Sequence, residues 1–410
     1  MSLSEPSDGL FGTCVELDVI ERGIRRALGT SKRCGANKTI KRIGEDQGFF
    51  SRVGLLQCNW PSDVDKNLPN QIVIKLTTLL NTVAMHNRAG AKKSIEGMKR
   101  DRLTWTSKAQ KLKKWHNNEI LFYETIQALQ APPFLPRMYC SRKFEDESGD
   151  VGFICMEYAD NCHVKHIYEN LTVSEIEKTL ESLAEVQAVM EGVSDERKRL
   201  FTVNAYEELY ADILNPDVLS FRLDELRQID SSLTPLIGRI EQEIDKLVST
   251  RIAKREHIDL GMPAIFVQGD LYSTNLLWKN NENGDRDLHK IIDWQLCHYG
   301  CVAEDVARLF ITCMSTEDRR MHWERLLEQY HNALNQFMRK EIFSIEQLKV
   351  SYCRFFCLAA MAFVATVPEV YRAATRSCSE QEKQEWKESI SSKVKGILED
   401  VLYFATRKKG

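Results

Sequence analysis

The 410-residue sequence has no run of 20 apolar residues. Its nearest approach, Phe355 to Val367, is too short to cross a bilayer and reads as a buried helix, so no transmembrane segment is expected. The opening Met1-Ser2-Leu3-Ser4-Glu5-Pro6 has neither a basic stretch nor an apolar one, and no secretory leader is visible in it. A net charge of −3 excludes a global field that would draw nucleic acid or a membrane surface. The 12 cysteines include no Cys-x-x-Cys pair and no tight spacing framework, which argues against a disulfide scaffold and for reduced thiols in a cytoplasmic protein. Cys353 and Cys357 stand one helical turn apart in an apolar segment, where core packing is favoured over metal binding. No internal repeat or low-complexity tract is present.

With 43% hydrophobic residues the chain can bury a large core, and its length predicts two or three structural units. The part up to about residue 160 is strand-rich with one clear helix. The remainder is mostly helical, interrupted by a hairpin. This asymmetry predicts an α+β protein of two lobes, residues 1–160 and 161–410, with a ligand cleft between them.

The densest chemistry lies in Val267-Gln268-Gly269-Asp270-Leu271-Tyr272-Ser273-Thr274-Asn275. An Asp followed five positions later by an Asn has the spacing of a kinase catalytic loop. It follows an apolar strand, Ala264 to Val267, and precedes a hairpin. Leu276-Leu277-Trp278 is read as one strand, Asn283-Gly284 as the turn, and Lys290 to Trp294 as the other strand. That order brings Asn275 and Asp293 to neighbouring ends of one hairpin, where they can share a magnesium ion. Asp270 is left to orient an alcohol. The competing reading is a polar loop with solvated acids.

Upstream, Ile43-Gly44-Glu45-Asp46-Gln47-Gly48-Phe49-Phe50-Ser51 lies between expected strands. Gly44, Gly48 and Ser51 suit a loop folded over phosphates, or equally an ordinary hairpin turn. Gln71 to Leu76 is a buried strand with Lys75 among apolar neighbours. Such a lysine either binds phosphate while paired to a helix glutamate, or snorkels from an edge strand. The glutamate candidate is Glu119, beside the apolar stripe Ile120, Tyr123, Ile126 and Leu129 of a helix ended by Pro132-Pro133. The alternative is a solvated first-turn residue. Between them, residues 79 to 116 are rich in Lys and Arg. This segment reads as a solvated helical insertion, or as a basic flap for an anionic substrate or surface. The strand ending in Glu157-Tyr158-Ala159 would be the hinge of a two-lobed kinase, with backbone groups at these residues meeting adenine. Ser174-x-x-Glu177 is read as a capping box opening a scaffold helix that Gly192 stops. Asp305, near the start of a later helix, is read as structural: it caps that helix or braces the catalytic loop from behind.

The stretches 267–275, 291–295 (Ile-Ile-Asp-Trp-Gln) and 298–310 (His-Tyr-Gly-Cys, then Glu-Asp-Val-Ala-Arg-Leu-Phe) resemble the ecdysteroid-kinase-like and choline-kinase-like proteins of the aminoglycoside-phosphotransferase superfamily, in particular their nematode branch. The resemblance covers most of the chain from about residue 44. It implies a protein-kinase-like bilobal fold, with ATP and Mg2+ as cofactors and the hydroxyl of a small molecule, sterol-like or another alcohol, as acceptor. It would make Asp270 catalytic, Asn275 and Asp293 magnesium ligands, and Lys75, held by Glu119, a phosphate-binding residue. Two positions depart from the pattern. Gln268 stands where a bracing His is usual, and Tyr272 where a Trp is common. Glutamine donates and accepts hydrogen bonds, as histidine does. The alternatives are a nucleotide-binding pseudokinase and a choline or ethanolamine kinase. The latter needs an aromatic cage, for which Trp323, Tyr330, Tyr371 and Trp386 are candidates. No Ala-Pro-Glu segment follows Asp293, which argues against protein substrates.

Overall fold

The computed structural model describes residues 3–44, 49–61, 67–88, 95–145, 151–249, 251–375 and 378–407. It divides into two compact units, one of Met1–Gln130 with Leu135–Asp160, the other of Ala131–Phe134 with Asn161–Gly410.

The first unit is built on an antiparallel sheet in the order β1-β2-β3-β5-β4. The strands are β1 (Thr39–Ile43), β2 (Ser51–Gln57), β3 (Gln71–Thr77), β4 (Met138–Arg142) and β5 (Phe153–Glu157). The two-residue period of a strand sorts the side chains of β3. Ile72, Ile74 and Leu76 are buried in one core with Ile20 and Ile24 of the Leu17–Ala27 helix and with Leu56, Phe153 and Cys155. Lys75 has the opposite parity and points to the other face. It lies between Val53 of β2 and Ile154 of β5, so β3 is a central strand and the edge-strand reading of Lys75 is wrong.

The helix that carries Glu119 is longer than its apolar stripe indicated. It runs from Ile95 to Ala128 and includes much of the basic segment. Ile120, Tyr123 and Ile126 are buried, but Leu129 lies past the helix end and is exposed. The preceding part of that segment includes a second helix, Leu80–Arg88.

In the second unit the longest helix, Ile345–Ala374, is a core element. By length and composition it is apolar enough to cross a membrane, which the shorter run Phe355 to Val367 did not reveal, and 78% of its apolar window is buried within the protein. The Val173–Glu191 helix opens on a different capping box from the one expected. Thr172 is the cap: its hydroxyl accepts from the backbone N–H of Glu175, and the Glu175 carboxylate accepts from that of Thr172. Thr172 holds the extended backbone a cap needs, whereas Ser174 is already in the first turn and Glu177 pairs with Arg325. The expected stripe Ile176, Leu180, Leu183, Val186 and Met190 is buried, and Gly192 caps the far end.

Two small sheets frame residues 267–275. Strand β6 (Ile265–Val267) pairs antiparallel with β9 (His298–Gly300). Strands β7 (Leu276–Asn280) and β8 (Arg286–Ile291) form the hairpin, with Gly284 at a φ of 83° in its turn. The second strand ends at Ile291 rather than Trp294, because Asp293 adopts a left-handed φ of 61°. Residues Ala131–Phe134 belong with this hairpin. The Phe134 carbonyl accepts from Ile291 N at 2.9 Å, and the Pro133 carbonyl accepts from Lys290 Nζ at 2.9 Å.

Candidate functional site

In the first unit, Lys75 Nζ donates to Glu119 Oε2 at 2.6 Å. The two are 8% and 1% exposed, so each charge is compensated by the other in a site closed to bulk water. One turn before Glu119, His116 is held between Thr77 Oγ1 (2.8 Å) and the Arg142 carbonyl (2.9 Å). Burial pushes its pKa down to about 4, which keeps the ring neutral beside Lys75. Gly44 has a φ of 63°, a conformation that favours glycine, and a side chain there would meet nothing within 4 Å. Gly48 lies outside the described residues. Ser51 opens β2 opposite Thr77, and its carbonyl accepts from Asn81 Nδ2. At the end of β5, Glu157 is engaged with Arg137: its N–H donates to the Arg137 carbonyl at 2.8 Å, and its carboxylate accepts from the Arg137 N–H at 3.0 Å. The Glu157 N–H is therefore spent within the unit. Tyr158 and Ala159, which follow it, are half-buried.

In the second unit, β6 delivers the chain into a loop whose shape is fixed by three buried side chains. Asp305, at the start of the Ala303–Cys313 helix, accepts from the backbone N–H of Gln268 (2.6 Å) and Gly269 (2.9 Å). It therefore braces the loop from behind rather than capping its own helix. Gly269 has a φ of 84°, and a Cβ there would sit 2.4 Å from the Leu296 carbonyl oxygen, so only glycine fits. Gln268 uses both ends of its amide. Its oxygen accepts from Asp270 N at 2.7 Å, and its nitrogen donates to the carbonyls of Asp293 (2.6 Å) and Ile292 (3.2 Å). One side chain thus locks Asp270 to Asp293. Asn275 closes the loop by donating from Nδ2 to the Asp270 carbonyl at 3.0 Å, while its own carbonyl accepts from Ile292 N at 3.0 Å.

The Asp270 carboxylate is held on one oxygen only. Tyr210 Oη donates to Oδ1 at 2.9 Å, and Arg308 Nη2 donates to the same atom. Among the described residues, Oδ2 accepts no hydrogen bond. Burial pushes the Asp270 pKa up, the Arg308 charge beside it pulls the other way, and Asp293 adds to the rise. The Arg308 guanidinium lies over two aromatic rings, 5.0 Å from the centre of Tyr210 and 5.4 Å from that of Tyr272. Behind Asp305, His298 Nε2 lies 3.4 Å from Glu304 Oε2. Burial alone would lower the His298 pKa, but the Glu304 carboxylate raises it to about 8. Burial and the Glu304 charge push Asp305 up to about 7, against the two backbone N–H groups it accepts from.

Arg308 and Tyr210 were missed in the sequence. The signal for Arg308 was an arginine inside an apolar helix, three residues after Asp305 and so on nearly the same helical face. Tyr210 carries no local signal, since only the fold brings it to the loop. Of the aromatic-cage candidates, Trp323 stacks on Tyr352, Trp386 stacks on Tyr168, and Tyr330 bonds Gln187. No ring contact joins any two of the four among the described residues.

The sequence matches, over residues 3–409, the model of the DUF1679 family, described as "Uncharacterized oxidoreductase dhs-27". The chain belongs to that family. It is 25% identical over 374 residues to the "Uncharacterized kinase-like protein D1044.1" of Caenorhabditis elegans, covering 89% of this chain and 93% of that protein. It is 22% identical over 377 residues to the "Uncharacterized oxidoreductase dhs-27" of the same organism, covering 90% of this chain but 43% of that protein. The chain thus spans less than half of dhs-27. Among solved structures, the chain is similar to choline kinase from Cryptosporidium parvum, with a TM-score of 0.47 and 12% identity over 92% of this chain and 94% of that one. That is a distant likeness. The kinase-like name of the first of these relatives accords with the Asp270-x4-Asn275 spacing and with the hairpin that follows it.

The donor chemistry suits magnesium. Asn275 keeps its amide oxygen after spending its nitrogen on the loop, and Asp293 is pinned beside it through Ile292. Magnesium takes oxygen ligands and is bound through one or two carboxylates plus substrate phosphates, so no larger protein cluster is required. None of three or more His, Cys, Asp or Glu side chains is present among the described residues.

Proposed function

We propose that this chain is an ATP- and magnesium-dependent phosphotransferase that phosphorylates a hydroxyl of a small molecule. The observation that carries the reading is the one-sided anchoring of Asp270. With Oδ1 tied to Tyr210 and Arg308, the unpartnered Oδ2 is the atom to accept an acceptor's O–H and align its oxygen with the phosphoryl group. Asn275 and Asp293 would hold magnesium, which when bound neutralises charge on the phosphates. Lys75, fixed by Glu119, would hold the α- and β-phosphates, and the glycine-bearing turn at Gly44 would lie over them. Phosphoryl transfer asks a protein mainly for position and charge, and this loop is held by hydrogen bonds at Gln268, Gly269, Asp270 and Asn275.

Binding of nucleotide without transfer is the rival reading. Its support was the replacement of a bracing histidine by Gln268, and that support weakens because Gln268 makes bonds at both ends. Asp270→Asn separates the two. It keeps the shape of the loop and the bond from Tyr210, but removes the carboxylate. ADP release with an alcohol acceptor should fall at least 100-fold in this variant, with magnesium-ATP affinity within a factor of about three. Full ADP release by Asp270→Asn would exclude the assigned role.

A further inference from the structure

The surroundings of Asp270 carry information about the acceptor. A cationic amino alcohol such as choline presents its ammonium a few bonds from the reacting hydroxyl. A site for it would place a carboxylate and aromatic faces near that hydroxyl. Both are present here and both are taken. Arg308 is 8% exposed, its Nη2 is on Asp270 Oδ1, and its guanidinium lies over Tyr210 and Tyr272. Its Nε and Nη1 atoms are buried and make no hydrogen bond among the described residues, so the arginine owes its place to the carboxylate and the two rings. No second cation comes from the loop itself: Asp270-Leu271-Tyr272-Ser273-Thr274-Asn275 contains no Lys or Arg.

We propose that Arg308 fills the place an acceptor cation would take, so that the site accepts alcohols that are uncharged or acidic around the reacting hydroxyl and discriminates against cationic amino alcohols. The inference rests on the phosphotransferase reading for its choice of probes. The charge of Arg308 opposes and exceeds the attraction of Asp270 for a cation. A like charge about 6 Å from the guanidinium, at an effective dielectric constant of about 20, would weaken binding by about 100-fold on its own. Asp270 offsets part of that, which leaves an expected discrimination of about tenfold.

The test compares choline with its uncharged isostere 3,3-dimethyl-1-butanol, titrated calorimetrically into the full chain with magnesium-ADP. Wild type should bind the isostere about tenfold more tightly than choline. Arg308→Met should remove or reverse the gap, and Arg308→Lys, which keeps the charge, should preserve it. A merely structural role for Arg308 would weaken both alcohols alike. Choline binding to wild type as tightly as the isostere would overturn the proposal. So would a gap that Arg308→Met leaves unchanged, the absence of binding by both alcohols included. If Arg308→Met fails to fold, the wild-type ratio decides. A thermal shift with magnesium-ATP on the same sample reports separately on nucleotide binding, so failure of the phosphotransferase reading is seen apart from failure of the charge preference.

Discussion

Replacing Gln268 probes how the loop holds Asp270. The side chain is fully buried and joins Asp270 N to the carbonyls of Asp293 and Ile292. Gln268→Leu keeps nearly the same volume and removes all three bonds. It takes this partner from one N–H and two carbonyls, all part-buried, at about 1–3 kcal/mol each towards the lower end of that range, or about 4 kcal/mol together. For a unit of roughly 250 residues, each kcal/mol moves the midpoint by about 2–4 °C, so unfolding should come about 10 °C earlier. Gln268→His can still accept from Asp270 N and donate to Asp293 O. It forfeits only the longer bond to Ile292, at about 1 kcal/mol. The assay is thermal unfolding by circular dichroism, with magnesium-ATP affinity measured in parallel. The expected order of stability is wild type, then His, then Leu, with nucleotide affinity following it. A Leu variant as stable as wild type would refute the bracing role. A His variant as damaged as Leu would refute the claim that glutamine stands in for histidine.

Glu119→Gln should destabilise the first unit by about 3–5 kcal/mol, because it leaves the buried Lys75 charge without its counter-charge; chemical denaturation of the variant reads this directly. Stability should also fall as pH rises. The folded pKa of His298 is about 8, above its unfolded value of about 6.5, so the native state keeps a proton that the unfolded state releases. The resulting stability, about 2 kcal/mol, is present below pH 6.5 and lost as pH passes 8. Asp305, raised to about 7, loses its contribution earlier, between about pH 4 and 7. Denaturation midpoints from pH 5 to 9 should show the His298 loss, and Glu304→Gln should flatten it. A midpoint that rose between pH 6.5 and 8 would contradict the assignment.

Local patterns carried more of the site than of the fold. The Asp270-x4-Asn275 spacing, the apolar strand before it and the Asn283-Gly284 turn were legible, because each depends on neighbours in sequence. Lys75 stood out as a charge inside an apolar strand. Its pairing with Glu119 was legible too, as a glutamate beside an apolar stripe. The end of β8 was not, because the left-handed backbone of Asp293 is imposed by the hydrogen bonds of Gln268 and Asn275, which come from elsewhere in the loop. The capping box was misplaced by two residues, since Thr172-x-x-Glu175 and Ser174-x-x-Glu177 satisfy the same pattern and backbone extension at the cap decides between them. The segment Ala131–Phe134 could not be assigned to the second unit from sequence, because Lys290 and Ile291, its partners, lie about 157 residues on. Arg308 and Tyr210 reach Asp270 from 38 and 60 residues away, so the most specific feature of the carboxylate's environment is purely tertiary.

The most direct measurement is the thermal shift produced by magnesium-ATP in wild type and in Asp293→Ala. At about a hundred times its dissociation constant, a bound nucleotide should stabilise wild type by roughly 2.7 kcal/mol. A magnesium-dependent shift of that size, lost in Asp293→Ala, is the predicted result. No shift in wild type at saturating nucleotide, or an equal shift in both proteins, would contradict a magnesium-ATP site at Asn275 and Asp293.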